Sequence, residues 1–225
     1  MAGEAAEQLI VDEGAERAQL RAIAGRAQST AVLASQRPRP VRGPCAAVFP
    51  HGLRPGTSVA VRAGRPALES AAMRSAIALA AGVVPPDGWV AAVGVASIGV
   101  LAAAEAGLPL ERLVFLAAPT TAWATVAIAA VDAFDVVVLS VPTRPRLAEI
   151  RRLSGRARER GNTVIAIGPG AATWASGGNS EARLVASAID WCGLGEGHGT
   201  LQSCRVSIEL DGRGSVQSRQ VDLVL

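Results

Sequence analysis

Lysine is missing from this chain altogether: all 22 basic side chains among its 225 residues are arginine. That removes the ammonium a phosphate-binding loop sets on the terminal phosphates of a nucleotide. Tyrosine is missing too, and the aromatics amount to three Phe and four Trp. Stacking platforms of the kind used by single-strand nucleic-acid binders are therefore scarce. The three cysteines, Cys45, Cys192 and Cys204, form no C-x-x-C pair. Their odd count and wide spacing exclude a zinc framework and point to reduced thiols in a cytosolic chain. Histidine occurs only as His51 and His198. A Ser–His–Asp triad would have to draw on one of them, with Asp190 near His198 in sequence, yet no G-x-S-x-G elbow is present. Neither a catalytic nor a metal-ligating role is expected of them. The most apolar run, Trp89 to Ala104, is 16 residues long with two glycines, short of the roughly 20 a bilayer span needs. The opening MAGEAAEQ is acidic and unlike a signal peptide. A soluble, cytoplasmic protein with no membrane contact is the expectation. Net charge is +3, too small for a counterion-release argument on its own.

What is present is aliphatic. Half of the chain is apolar, enough for a sizeable core of Ala, Val, Leu and Ile. Residues 3–34 read as a helical arm: Leu9, Leu20, Ile23, Ala24 and Ala27 recur near helical spacing, and acids precede arginines as the helix dipole prefers. A docked surface helix and a partner-binding or oligomerisation arm are both open. Residues 35–57 read as a Pro/Arg-rich linker, with five prolines and four arginines forbidding regular structure through most of it. Arg37, Arg39 and Arg42 within it are either solvated or touch phosphate.

From Ser58 onward strand and helix alternate. Strands are expected at 58–63, 89–95, 113–116, 136–141 and 163–167, with helices at about 66–81, 99–106, 121–130 and 146–160. Continuous apolar strands separated by helices argue for a parallel sheet covered on both faces. Strands at 182–189, 201–210 and 217–225 then close the domain, the last two joined at Asp211-Gly212 in hairpin fashion. The domain core thus spans 58–225.

The organising stretch is Ser58–Gly82: a strand, a Gly-led turn and an Ala-rich helix. That is the layout of a phosphate-binding loop, and its chemistry is absent. Counting from Gly64, Glu69 replaces the second glycine of G-x-x-x-x-G-K-S/T, Ser70 the lysine and Ala71 the hydroxyl residue. A carboxylate at Glu69 repels a triphosphate where an ammonium would attract it.

The ordered set GLRPGTSVAVRAG, WVAAVGVASIGVLAAAEAGLPLERLVFLAAP, FDVVVLSV, GNTVIAIG, GGNSEARLVAS and CRVSIELDGRG resembles the RecA ATPase core over about residues 50–225. The Ala/Arg-rich style and WCGLGEGHG…RVSIELDGRG are similar to the ImuA-prime-type accessory family of actinobacteria. The resemblance implies a RecA-like α/β core of P-loop type, with a mostly parallel sheet and antiparallel closing strands. It implies a role in damage-induced mutagenic DNA synthesis beside an ImuB-type, polymerase-like adaptor, an error-prone polymerase α subunit and RecA. It places the family's catalytic Glu at Ala96, its Walker B Asp at Ser140 and its nucleotide sensor near Gly168. With every position replaced, the expectation is a pseudo-ATPase without cofactor or metal, which binds partners. A divergent NTPase or kinase completed by a partner's residues, or a general nucleic-acid binder, are the competing readings.

Three further stretches stand out. Arg144, Arg146, Arg151, Arg152, Arg156, Arg158 and Arg160 face Glu149 and Glu159 alone, over an inward stripe of Leu147, Ile150, Leu153 and Ala157. They form either a solvated outer helix or a contact for DNA phosphate or an acidic partner. Residues 173–178 occupy the place of RecA's mobile DNA-binding loop, so Trp174 is a candidate base-stacking or partner contact. Trp89 and Trp123 read as core-edge residues. The glycine-rich 193–199 does not follow the dinucleotide pattern and reads as a flexible loop.

Overall fold

The computed structural model describes residues 37–95, 98–177, 180–212 and 217–225. The helical-arm reading of 3–34 and the position Ala96 lie outside the described residues. An eight-stranded sheet runs in the order β3-β2-β4-β5-β1-β6-β7-β8. Its strands are β1 Ser58–Ala63, β2 Val90–Val93, β3 Leu113–Leu116, β4 Val136–Ser140, β5 Thr163–Ile167, β6 Ser180–Gly195, β7 His198–Gly212 and β8 Arg219–Val224. Pairing is parallel from β3 across to β6, and antiparallel between β6 and β7 and between β7 and β8. The helices are α1 Glu69–Val83, α2 Val100–Glu105, α3 Trp123–Ala133, α4 Leu147–Arg160 and α5 Ala171–Ser176.

Strand side chains alternate between two core layers, as the pleat requires. Val59, Val61, Val136 and Val138 join α1 and α2 in one layer. Ala60, Val137 and Leu139 join α3, α4 and α5 in the other. Both faces being covered explains why the parallel strands are apolar throughout. The sheet therefore has the expected α/β class, mostly parallel with antiparallel closing strands. α4 ends at Gly161, whose φ of 72° suits a left-handed helix stop.

Three expectations need correction. Residues 38–57 are not a free linker: from Pro38 on, the chain forms one compact unit. Val41, Cys45, Val48, Phe49 and Leu53 are buried in the core layer that holds α1. Prolines stop a long helix there, but not the 3-10 turn Gly43–Ala47 or the bridge between Arg39 and Leu53, closed by N–H···O bonds of 2.8 and 2.9 Å. Arg42 spends its guanidinium on the carbonyl of Val84. Residues 193–199 are the end of a long β6–β7 ribbon that stays paired to Gly195 opposite His198. Leu147, assigned to the inward stripe of α4, is 47% exposed; it sits at the helix's first residue, before the stripe meets the sheet.

Candidate functional site: a crevice at the β1–α1 turn

Parallel α/β sheets bind ligands beyond the C-terminal ends of their strands, where the strand order switches direction. Here β1 lies between β5 and β6, and a cavity of about 620 Å³ opens at that end. Gly64, Arg65 and Glu69 line it from the β1–α1 turn, Ser140 from the end of β4, and Gly168 from the end of β5. The structure thus brings together Gly64, Glu69, Ser140 and Gly168, far apart in sequence. Gly168 approaches so closely that a Cβ there would stand 3.0 Å from Ser140 Oγ. Ala71 is in the same turn of α1 but buried, while Ser70 faces solvent.

The backbone of the turn is already committed. The N–H of Gly64 donates to Ala186 O at 2.8 Å and that of Leu68 to Arg65 O at 3.0 Å. Glu69 donates to Pro66 O, and Pro66 has no N–H to offer. Among residues 64–69, only Arg65 and Ala67 keep N–H groups outside these bonds. A phosphate cradle needs several converging free N–H groups. Gly64 is explained by packing instead: a Cβ there would lie 2.9 Å from Ala186 O. The first turn of α1 carries its own anion, Glu69, where the helix dipole would favour a bound one. Arg62 reaches back to the carbonyl of Ala63 at 3.3 Å. Ser140 offers a hydroxyl and no carboxylate, and neither histidine lines the cavity. The residues present do not fit Mg-ATP: the ammonium is missing from the whole chain and the magnesium-ordering carboxylate from the end of β4.

The other predicted residues sit elsewhere. Trp174 is a correction: it is 0% exposed, and its indole N–H donates to Ser58 Oγ at 3.2 Å. The stretch read as a mobile loop, 173–178, overlaps the helix α5, which buries Ala171 and Trp174. Trp174 therefore cannot stack on a base or greet a partner in this conformation. Trp123 is buried, whereas Trp89 is exposed. Asp190 pairs across the ribbon with Arg205 and His198 with Gly195, which separates them along the strands and leaves no triad.

The arginines of α4 divide into two sets. Asp132 of α3 accepts from Arg156 Nε at 2.6 Å and from Arg160 Nε at 3.0 Å, and Glu159 pairs with Arg156 at 3.0 Å. The hydrogen bond from Arg156, with that from Arg160 behind it, holds the Asp132 carboxyl below its ordinary range; Asp132 in return raises Arg156. Glu149 takes the backbone N–H of Arg146 at 3.1 Å and so caps the helix. With those carboxylates engaged, Arg144, Arg146, Arg151, Arg152 and Arg158 enter no ion pair among the described residues. Sequence reading found the cluster but missed Asp132, which lies on another element and so leaves no local signal.

Fold and crevice together define an α/β protein with a mostly parallel sheet and a cavity at the C-terminal end of β1. The chain belongs to the MT3502 N-terminal domain family, whose model matches residues 47–175. That stretch runs from the buried segment before β1 through most of α5 and leaves out β6 to β8. Over 114 residues the chain is 34% identical to a Mycobacterium tuberculosis protein described as "Uncharacterized protein Rv3395c". The match takes in 50% of this chain and 56% of that relative's length. Among the described residues, no helix is long and apolar enough to cross a membrane.

Proposed function

We propose that this chain is a RecA-like pseudo-ATPase that serves as a non-catalytic accessory protein of damage-induced translesion DNA synthesis. It acts by binding an ImuB-type adaptor, with RecA, an error-prone polymerase α subunit and DNA as further contacts, in the cytoplasm. One observation carries the reading: in the crevice at the β1–α1 turn the N–H groups of Gly64, Leu68 and Glu69 are spent inside the protein, and the lining offers no lysine and no carboxylate at the end of β4. The ordered resemblance to the RecA core supports it, as does the mycobacterial relative for an actinobacterial family. The uncompensated arginines of α4 supply a surface for a polyanion or an acidic partner.

Calorimetric titration with Mg-ATP is expected to give no heat beyond dilution, and ATP hydrolysis to stay at background with or without DNA. Micromolar nucleotide binding would overturn the proposal. It would favour a second reading, a divergent NTPase or kinase completed by a partner's arginine. What favours that reading is the crevice itself, still about 620 Å³ and flanked by Arg62 and Arg65.

A further inference from the structure

A second cavity shares no lining residue with the crevice. It holds about 480 Å³ and lies where α1, α2 and the outer part of the β6–β7 ribbon meet. Its apolar walls are Ile77 and Ala78 of α1, Ala102 of α2 and Ala106 just past its end, Leu201 of β7 and Val224 of β8. That volume is in the range of pockets that take several side chains or a small ligand. One cation lines it, Arg74 of α1. The guanidinium stands 5.5 Å over the ring of Trp191, its Nε is buried without a hydrogen-bond acceptor, and no carboxylate pairs with it among the described residues. Glu105, also on the lining, is exposed and solvated.

The apolar surface continues outside the cavity. β8 stops at Val224 opposite Arg205, and Cys204 and Leu225 then exchange two N–H···O bonds of 2.8 Å. Beyond them every residue from Asp190 to Gln202 is exposed. The ribbon nevertheless carries Trp191, Leu194 and Leu201, which are 41%, 57% and 44% exposed. An uncovered two-stranded ribbon is marginal in water, and clustered exposed apolar groups mark interaction surfaces.

We infer that this cavity and the ribbon beside it form the docking site for a segment of another protein that carries a carboxylate next to aliphatic or aromatic side chains. The aliphatic groups fill the space between α1 and Leu201, and the carboxylate pairs with the guanidinium of Arg74. Trp191 and Leu194 stand exposed on the ribbon outside the cavity lining, so a polypeptide can engage both where a molecule sized to the cavity cannot. Arginine and tryptophan are both enriched among the residues that carry binding energy at such interfaces. The inference deepens the accessory-protein reading, and the two fail separately. Nucleotide in the crevice would sink that reading and leave Arg74 untouched.

The test is selection of random dodecamer peptides displayed on phage against the full chain. Enriched peptides are expected to carry Asp or Glu beside Leu, Ile or Phe. Arg74→Glu is expected to weaken a selected peptide by more than about tenfold, the scale of a lost charged hydrogen bond. A peptide with Lys in place of its acid is expected to regain binding to that variant. Arg74→Ala, which removes an unsatisfied group, is expected to keep the parent's circular dichroism spectrum and to weaken the original peptide as well; Glu105→Gln is expected to leave it unchanged. The inference is overturned if nothing is enriched, or if enriched peptides bind Arg74→Glu as well as the parent. It is also overturned if sedimentation shows a dimer that Leu201→Asp dissociates, since the occupant is then a second copy.

Discussion

The crevice at the β1–α1 turn and the outer face of α4 are opposites. The crevice has the shape of a ligand site, but most of the backbone N–H groups of its turn are consumed inside the protein: Gly64 bonds to β6, Leu68 and Glu69 bond within the turn. The α4 face carries more charge than its ion pairs among the described residues use. Asp132 and Glu159 are satisfied by Arg156 and Arg160, and five further arginines are left over. Shape alone is thus a poor guide to function here. The accounting of hydrogen bonds and counter-ions says which region still has interaction capacity to spend on a partner.

The comparison breaks most visibly at α5, which buttresses the crevice. Trp174→Ala removes a fully buried indole and is expected to cost about 3–5 kcal/mol, read as a drop in the urea midpoint. A variant as stable as the parent would mean that the tryptophan is free to leave the core, as a mobile loop would allow. Next in size is the triple variant Arg151→Ala, Arg152→Ala, Arg158→Ala. Stability should stay within about 0.5 kcal/mol, as for exposed positions. Binding to duplex DNA, where measured against salt, should lose a slope of about three. An unchanged slope would reduce the face to a solvated helix.

A smaller effect isolates the α4 backbone. A Cβ at Gly155 meets nothing within 4 Å, so Gly155→Ala should raise stability by up to about 1 kcal/mol; a loss would reveal packing that the structure does not contain. Smallest is the Asp132 brace. Its carboxyl pKa is lowered on folding, so its contribution is fully present above the ordinary carboxylate value near 3.9 and disappears as pH falls through the depressed one. Asp132→Asn should therefore melt slightly earlier than the parent at pH 7, with the gap closing under strongly acid conditions. A gap independent of pH would assign the effect to packing.

Much of this architecture could be read from residue order. The strands at 58–63, 113–116 and 163–167 have the expected bounds, because apolar β-branched runs between helices have few other places to go. The crevice members Gly64, Glu69, Ser140 and Gly168 were named before the sheet brought them together. What escaped depends on tertiary context. Gly168-Pro169-Gly170 and Gly177 flank α5 with loop signals, and only packing in the core layer of Ala60, Val164 and Ile150 decides that Trp174 is inside. The prolines of 38–57 concealed apolar spacing that finds its partner in α1. Glycines 193–199 suggested slack, yet Gly193, Gly197 and Gly199 adopt φ of 94°, 73° and 102°, conformations that bend and close a hairpin. Asp132 was invisible because nothing near it in sequence announces a partner on α4.

The three thiols end up in very different settings. Burial pushes Cys45 up to about 12, and Cys204 is also enclosed, while Cys192 stands exposed on the ribbon next to Trp191. Alkylating dyes attack the accessible thiolate. The native chain therefore carries a built-in attachment point for one fluorophore or spin label, beside the surface whose occupancy is in question and without any engineered residue.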